Sequence, residues 1–508
     1  MAVELDPEGR SPGRRHGERS HWGNARALMA TADQSETRQL CRATMVSAAR
    51  FCTPVVLLSL GGTLEENAYR SRVLMKFNRL VLAAAAFLFS AGLLAAALPA
   101  AAEPATTVNY PNNASATRFN GYAFDACTAP SVATMKAWTA SPYDGVGVYV
   151  GGVNRSCAQP NLTPGWVSTV SAQRWRLIPI YVGHQAPCTG GVNKVTFTAS
   201  SAAAKGTADA ADAVAKAKAL GMLPGSAIYG DMENYSTTDA TCRTAVLTFV
   251  SAWTKELHRQ GYLSGMYANL SLGATQLADA YNSTTYARPD ALWIARWDSN
   301  PALTGWAGIP DSQWSRYQRG KQYRGDHNET YGGVTINIDS DRFDAPVATV
   351  GYNYRTTSST DLNGRRGPTT SASIVKTYAP GSTLKVVCQT PGSTVGSTAV
   401  WDKLTDGNYV SDYYVSTPSQ TTYSAPLPRC TYPYQVTTSL NERTGPGSGY
   451  SVARTLSSGA LAWIYCQRSG SAVNGTSVWD RLQDTYYVSD YYVATPSKTS
   501  YSAPIPGC

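Results

Sequence analysis

Two carboxylates stand two residues apart in the stretch SAIYGDMENYS, residues 226–236. Asp231 and Glu233 follow a short apolar run, which is typical of the end of a buried strand. Because alternate residues of a strand point to one face, both side chains are expected to face the same way. Such a pair suits hydrolysis of a glycosidic bond, in which one acid protonates the leaving oxygen and another stabilises or attacks the positive centre. A D-x-E at a strand end is also common without any function, so the pair needs support from the rest of the chain.

The elements around this pair predict a (β/α)8 barrel of the TIM type over residues 118–350. Helical patterns are clearest at residues 201–220 and 239–260. The loop at residues 299–311 contains two prolines and two glycines and is too short for a comfortable helix, so we expect the barrel to be somewhat irregular there. The predicted strands are residues 119–126, 145–151, 176–183, 226–233, 263–269, 291–298, 312–318 and 334–341.

Active sites of such barrels lie at the C-terminal ends of the strands, where polar residues collect in this chain. We predict that barrel closure gathers four catalytic acids: Asp125, Asp231, Glu233 and Asp339. The residues predicted to bind substrate are Tyr181, Tyr235, Asn269, Arg296, Trp297 and Tyr317. Asp339 and Asp341 could instead have a structural role, in which they cap the strand or pair with Arg342. His184 is expected to be a hydrogen-bonded surface residue rather than a base.

No cofactor and no metal site are expected. The stretch IDSDRFD lacks the glycine and the distal glutamate of an EF-hand calcium loop. The cysteines after residue 102 contain no C-x-x-C pair, which argues against structural zinc. Their even number in an exported chain predicts disulfides, for which three pairings are open among the first four. These cysteines are Cys127, Cys157, Cys188, Cys242, Cys388, Cys430, Cys466 and Cys508.

Residues 75–102 have the layout of a secretory signal peptide, with Lys76 and Arg79 before a long apolar run and small alanines at its end. The run is long enough for a membrane anchor, but its A-x-A ending favours cleavage, which leaves no stable membrane span. Residues 1–74 are interpreted as a mis-annotated or disordered leader ahead of a true start at Met75. Residues 103–117 are then a linker, and the protein is secreted or associated with the cell wall.

The C-terminal third of the chain repeats itself. Residues 362–430 align without gaps with residues 440–508, and about half of the positions are identical. Short runs of Val, Tyr, Trp and Thr broken by Gly, Pro and Ser predict two small all-β domains, joined by linkers at residues 351–361 and 431–439. Domains of this size have marginal cores, so one disulfide within each repeat is the simplest pairing.

Both regions resemble known families. The repeats are similar to bacterial SH3-like domains in LNGRRGP and LNERTGP, and again in VWDKL and YVSDYYV. That resemblance implies binding to cell-wall peptidoglycan, especially to its peptide stems. The stretch FNGYAFDACTAPSVATMKAWTASPYDGVGVYVGG resembles the domain of unknown function 1906 family, a glycoside-hydrolase-like group, and at motif level the family 25 lysozymes. The resemblance implies that Asp125 is the strand-one aspartate, that Glu233 beside Asp231 is the proton donor, and that Asp339 is the strand-eight aspartate.

These features predict a secreted glycoside hydrolase that acts on cell-wall polysaccharide or peptidoglycan and is held on the wall by its repeats. A non-catalytic wall-binding protein with a glycosidase-like barrel is the alternative, because a fold does not fix an activity. A secreted glycosidase for another polysaccharide would look the same. The net charge of +9 over 508 residues, without a dense basic stripe after the signal, argues against nucleic acid as the partner. The oligomeric state stays open.

Overall fold

Eight strands close into a barrel in the N-terminal part of the computed structural model, which describes residues 114–508. The strands follow one another around the barrel in chain order. The leader and the signal segment predicted from the sequence lie outside the described residues. The strands are β1 (Thr117–Asp125), β2 (Tyr143–Gly151), β3 (Arg176–Tyr181), β4 (Ala227–Met232), β5 (Leu263–Asn269), β6 (Ala291–Ala295), β7 (Arg319–Tyr331) and β8 (Val334–Val347).

Helical segments connect the first six strands, and the predicted helices at 201–220 and 239–260 are confirmed. Asp239 caps the second of these helices by accepting hydrogen bonds from the backbone N–H groups of Thr241 and Cys242. A Cβ on Gly206 would lie 2.3 Å from the Phe249 carbonyl oxygen, so glycine lets the two long helices pack closely. The helices are α1 (Val132–Ala137), α2 (Pro164–Ala172), α3 (Ala202–Ala219), α4 (Ala240–Arg259) and α5 (Thr275–Asp279), with a 3-10 turn at Trp138–Ala140 and a π-helical turn at Leu270–Ala274.

The last three strands depart from the predicted pattern. β1 to β7 run parallel, but β8 is antiparallel to both of its neighbours, β7 and β1. No helix lies between β6 and β7 or between β7 and β8. The predicted seventh strand at 312–318 is wrong, because those residues form turns in which Trp314, Arg316 and Tyr317 have positive φ. The true strand follows them, and much of it extends beyond the barrel as a hairpin with β8.

Aromatic side chains fill the lower interior of the barrel. Trp293 lies edge-on to Tyr229 and Phe343, with ring centroids 5.8 and 5.0 Å apart, and all three are buried. The Tyr229 hydroxyl donates to the Pro346 carbonyl oxygen over 2.8 Å. This packed floor leaves the polar residues of the strand ends as a layer above it, at the C-terminal mouth of β1 to β7.

The repeats fold into two six-stranded antiparallel sheets, the first formed by strands within residues 352–411 and the second by strands within residues 432–489. Each repeat contains its own disulfide, Cys388–Cys430 in the first and Cys466–Cys508 in the second. The strands are β9 (Tyr352–Arg355), β10 (Leu362–Arg365), β11 (Ile374–Tyr378), β12 (Thr383–Val395), β13 (Thr398–Leu404), β14 (Tyr409–Ser411), β15 (Tyr432–Gln435), β16 (Leu440–Arg443), β17 (Val452–Leu456), β18 (Leu461–Val473), β19 (Thr476–Leu482) and β20 (Tyr487–Ser489).

Both segments predicted as linkers contain a strand. β9 pairs with β12, and β15 pairs with β18, so each domain begins one strand earlier than the aligned repeat. The gapless alignment misses this strand because the following loop is two residues longer in the first repeat, 356–361 against 436–439. Within residues 114–508, no helix has both the length and the apolar character needed to cross a bilayer.

Candidate active site

Asp125 lies at the end of β1 and is almost fully buried in the mouth of the barrel. The Tyr149 hydroxyl donates to one of its carboxylate oxygens over 2.8 Å, and the Gln322 side-chain amide donates to the other over 2.9 Å. Burial raises the pKa of Asp125 despite these donors. The carboxylate is therefore fixed in orientation by groups from two other strands.

Asp339 reaches the same mouth from an antiparallel strand. It lies in the first half of β8 and is the register partner of Asp125. The Gln322 amide that binds Asp125 also donates to Asp339 over 3.1 Å. The sequence predicted Asp339 at the end of a parallel strand; the structure places it beside Asp125 because β8 enters the barrel from the mouth.

Gln322 on β7 joins the two acids to two aromatic residues. Its side-chain oxygen accepts hydrogen bonds from the Tyr267 hydroxyl and from the Trp297 indole N–H, each over 2.9 Å. Both donor hydrogens and the oxygen of this amide are thus engaged. Sequence reasoning missed Gln322 because the seventh strand was placed before it.

Asp231 and Glu233 stand at the end of β4, where Gln185 holds the backbone. The Gln185 amide donates to the Asp231 carbonyl oxygen and accepts from the Glu233 N–H, both over 2.8 Å. Asp231 is buried, and its Oδ1 has no hydrogen-bond partner within residues 114–508. Glu233 is exposed to solvent. The predicted pair therefore consists of one buried and one accessible acid.

Tyr267 on β5 links acids from different strands, because it is the register partner of Asp231 and its hydroxyl donates to the amide that also bonds Asp125 and Asp339. Burial raises the pKa of Tyr267, and the charges of four carboxylates raise it further: Asp231, Glu233, Asp125 and Asp339. The pKa of Asp231 is likewise raised by burial and then by the neighbouring charge of Glu233. This partly buried tyrosine thus lies within the electrostatic field of acids from three strands.

Asp341 forms a second buried layer beneath the mouth. Its carboxylate accepts a hydrogen bond from the Trp293 indole over 3.1 Å, and burial together with the charges of Asp125 and Asp339 raises its pKa. The alternative considered from the sequence, in which Asp339 and Asp341 pair with Arg342, does not occur. The Arg342 guanidinium instead donates to the Gly121 carbonyl oxygen and to Asn120.

Of the residues predicted to bind substrate, Trp297 and Arg296 lie at the mouth. The Trp297 side chain is 59% exposed although its indole N–H is tied to Gln322. A Cβ on Gly325 would lie 2.2 Å from its ring, so only glycine lets the ring rest against the hairpin. Arg296 is half exposed and pairs with Asp298 over 3.2 Å. Trp297 therefore presents an open aromatic face beside the acids.

Three of the predicted substrate residues lie elsewhere, which corrects those assignments. Tyr181 points outward from β3 and donates to Asp212 over 2.9 Å. Tyr235 is buried under the loops and donates to Gln276 over 2.7 Å. Tyr317 precedes β7, so it lies at the base of the barrel, where it donates to Asp484 of the second repeat over 2.7 Å.

Asn269, the remaining predicted substrate residue, serves as a cap. Its side-chain oxygen accepts from the Ser271 N–H at the start of the π-helical turn. His184 agrees with the structural expectation, since its Nδ1 lies 2.8 Å from Asp209 on α3.

Two disulfides brace the loops around the mouth. Cys127–Cys157 joins the loops after β1 and β2, and Cys188–Cys242 joins the loop after β3 to the first turn of α4. In the part of the chain from residue 114 onward, no group of three or more His, Cys, Asp or Glu side chains is arranged to hold a metal ion.

The buried acids predict an unusual dependence of stability on pH. Burial, and after it the charge of Asp125, raises the pKa of Asp339 from 3.8 to about 7. Between these values the folded chain keeps a proton that the unfolded chain has lost. The free energy of unfolding is therefore expected to fall as pH rises from 4 to 7, by about 1.4 kcal/mol per pH unit for this group. Urea unfolding at several pH values measures this slope, and Asp339→Asn is expected to reduce it; an unchanged slope would contradict the assignment.

Comparison with known proteins defines the class of the barrel. Residues 136–343 match the family model described as Rv2525c-like, glycoside hydrolase-like domain. The barrel is thus a glycoside hydrolase-like domain. A curated relative, the uncharacterized protein YraJ of Bacillus subtilis (strain 168), is 34% identical over an alignment of 70 residues that covers 11% of this chain. The chain spans 59% of the length of that relative.

Two solved structures are similar to part of this chain. The Tat-secreted protein Rv2525c of Mycobacterium tuberculosis, in complex with L-tartrate, is 15% identical, with 44% of this chain and 96% of that chain covered and a TM-score of 0.33. The spore cortex lytic enzyme SleM of Clostridium perfringens is 11% identical, with 57% of this chain and 95% of that chain covered and a TM-score of 0.32.

Proposed function

We propose that the protein is a secreted glycoside hydrolase that cleaves the glycan of bacterial cell walls, with peptidoglycan as its substrate. The observation that carries the proposal is the hydrogen-bonded group at the mouth, in which Gln322 bonds Asp125, Asp339 and Tyr267, and Tyr267 is the register partner of Asp231 in the D-x-E pair. The match of residues 136–343 to a glycoside hydrolase-like domain supports it. The four disulfides are in keeping with an extracellular location.

In this proposal Glu233 is the general acid. It is the accessible member of the D-x-E pair, so a glycosidic oxygen entering the mouth can reach it. Protonation of that oxygen allows the carbon–oxygen bond to break as positive charge develops on the sugar ring. Water supplies the hydroxyl group of the new reducing end. The proton that Glu233 donates is replaced from this water, so the enzyme returns to its starting state.

The remaining acids act on the developing charge. Asp231 lies directly beside Glu233, while Asp125 and Asp339 are held together by the Gln322 amide. Their carboxyl oxygens are already oriented in a water-poor site, so they stabilise an oxocarbenium-like transition state without having to reorganise. Because donors from other strands fix the carboxyl groups of Asp125 and Asp339, these two groups cannot turn away from the sugar.

Trp297 is proposed to hold the sugar. An exposed indole face beside the acids suits stacking against the apolar face of a pyranose ring. Trp297→Ala is expected to raise KM about tenfold with a smaller change in kcat, because the ring binds substrate without taking part in proton transfer. Steady-state kinetics on wall oligosaccharides measure both constants. A large loss in kcat with unchanged KM would contradict this role.

The function is tested with purified residues 103–508 and peptidoglycan sacculi from several bacteria. We expect the release of new reducing sugars, with soluble fragments whose ends mass spectrometry identifies as sugars. Wall binding without any release would instead identify a non-catalytic wall protein. Release of peptides without new reducing ends would reject the proposed bond specificity.

A further inference from the structure

The loop between β3 and α3, residues 182–201, is anchored on the D-x-E pair of β4. The Gln185 side chain near its start binds the backbone of both acids, each over 2.8 Å. The Gln185 N–H in turn donates to the carbonyl oxygen of Val195, near the far end of the same loop, over 2.9 Å. The Cys188–Cys242 disulfide ties the loop to α4 as well. The residues next to Val195 are therefore held beside the two acids.

Lys194 directly precedes Val195 and is half-buried. Its aliphatic stem lies against the backbone of Gly191, because a Cβ on that glycine would lie 3.0 Å from the Lys194 Cγ and 3.5 Å from its Cε. The ammonium charge reaches the mouth of the barrel. Burial and then the charge of Glu233 raise the pKa of Asp231, and the charge of Lys194 opposes that rise. Lys194 thus brings a cation to the acidic mouth.

The charge of Lys194 is available to a ligand. Within residues 114–508, no ion pair includes this lysine, so Asp231 feels its charge from beyond ion-pair distance. Two apolar side chains accompany it on the loop, Val192 with 84% and Val195 with 44% of its surface exposed. A ligand that carries a negative group next to a small apolar group fits such a surface.

Lys194 and Trp297 lie on opposite sides of the mouth. The Trp297 indole donates to Gln322 on β7, whereas Lys194 belongs to the loop that follows β3. β3 and β7 are four strands apart in a closed barrel of eight. A glycan that stacks on Trp297 and crosses the acids therefore extends towards Lys194.

The chemistry of cell-wall glycan offers a group of this kind. An acidic mouth repels an anionic sugar unless a cation receives its charge, and a neutral sugar needs no such cation. The muramic sugar carries a lactyl ether, which has a methyl group and a carboxyl group. With a peptide attached, that carboxyl is a neutral amide; without the peptide, it is a carboxylate. Lys194 and the neighbouring valines suit the second form.

We propose that Lys194 binds the free lactyl carboxylate of a muramic sugar, and that the enzyme therefore prefers glycan strands from which the peptides have already been removed. An amidase reaction must supply such strands. In that reaction water adds across the amide bond, so the lactyl group gains the hydroxyl of a carboxylic acid and the released amine gains the hydrogen. The inference rests on the proposed function, because it specifies the substrate of the same site.

The test uses residues 103–508 and one preparation of soluble, peptide-free glycan strands. One half keeps its lactyl carboxylates, and in the other half carbodiimide coupling to methylamine converts them into neutral amides. We expect kcat/KM for the charged strands to exceed that for the amidated strands about tenfold or more, since a charge-assisted hydrogen bond contributes at least about that factor. In Lys194→Gln the ratio is expected to fall to within about twofold of unity.

The ratio isolates recognition of the substrate from the effect of Lys194 on Asp231, because that effect is common to both kinds of strand. Lys194→Arg keeps the charge and is expected to keep most of the preference. Lys255→Gln changes an exposed lysine on α4, outside the mouth, and is expected to leave the ratio within about twofold of its original value. Thermal unfolding is expected to show that all three variants are folded.

Equal cleavage of charged and amidated strands by the unmodified chain, or an unchanged ratio in Lys194→Gln, would overturn the proposal. Faster cleavage of peptide-bearing strands than of charged peptide-free strands would also overturn it, since the recognised carboxylate would then belong to the peptide. Binding in the Glu233→Gln background separates this test from that of the proposed function, because the same ratio of about tenfold is expected in Kd. If no strand were cleaved while this binding ratio held, the proposed hydrolysis would fail and the carboxylate site would stand.

Discussion

Glu233→Gln is expected to lower the rate of glycan hydrolysis by about 10²–10⁴-fold, the usual contribution of a general acid. The amide has the same shape but no transferable proton. Because Glu233 is exposed and its backbone N–H is held by Gln185, the substitution is expected to leave the fold intact. Binding to sacculi should also stay unchanged, so the loss falls on kcat.

Asp144→Asn is the matched control for this variant. Asp144 is an exposed acid at the start of β2, which is the opposite end of the barrel from the mouth. Its replacement is expected to change the hydrolysis rate by less than about twofold. If both substitutions reduced activity equally, or if Glu233→Gln retained full activity, Glu233 would not be the proton donor.

Gln322→Met is expected to be the most damaging change that leaves every charge in place. The thioether fills a similar volume but can bond neither to Asp125 and Asp339 nor to the Tyr267 hydroxyl. Each buried polar group left without a partner costs about 1–3 kcal/mol. We therefore expect the free energy of unfolding to fall by about 2–5 kcal/mol and kcat to fall at least about 10²-fold.

The two effects of Gln322→Met are separable by experiment. Urea unfolding reports the stability, and kinetics at a temperature where the variant is fully folded report the rate. Gln260→Met, at the C-terminal end of α4 on the outside of the barrel, is the control and is expected to change kcat by less than about twofold. A folded Gln322→Met chain with normal kcat would show that the acids do not depend on this amide for their catalytic arrangement.

The parts of the site that could be predicted are those with a local signature. Asp231 and Glu233 follow an apolar run on one strand, and Asp125 ends another, so alternation and strand ends were enough to find them. Tyr149 and Tyr267 were missed because tyrosines inside apolar runs look like core residues. Their hydroxyls become polar contacts only when the barrel closes.

The antiparallel orientation of β8 could not be predicted from the alternation of apolar and polar residues, because that alternation is the same in parallel and antiparallel strands. The Gly332–Gly333 pair between two polar runs was a usable signal, since such pairs favour two-residue hairpins. Recognising it would have moved β7 to its true position and placed Gln322 at the mouth. Tyr317 would then have been assigned to the base of the barrel.

A crystal structure of Glu233→Gln with a cell-wall tetrasaccharide tests the central claim most directly. We expect one sugar ring against Trp297 and a glycosidic oxygen within about 3 Å of the residue-233 side chain, the reach of a proton donor. Asp125 and Asp339 should lie on the side of the ring where positive charge develops. A saccharide bound only at the repeats, with none in the mouth, would contradict the assignment of these acids to glycan hydrolysis.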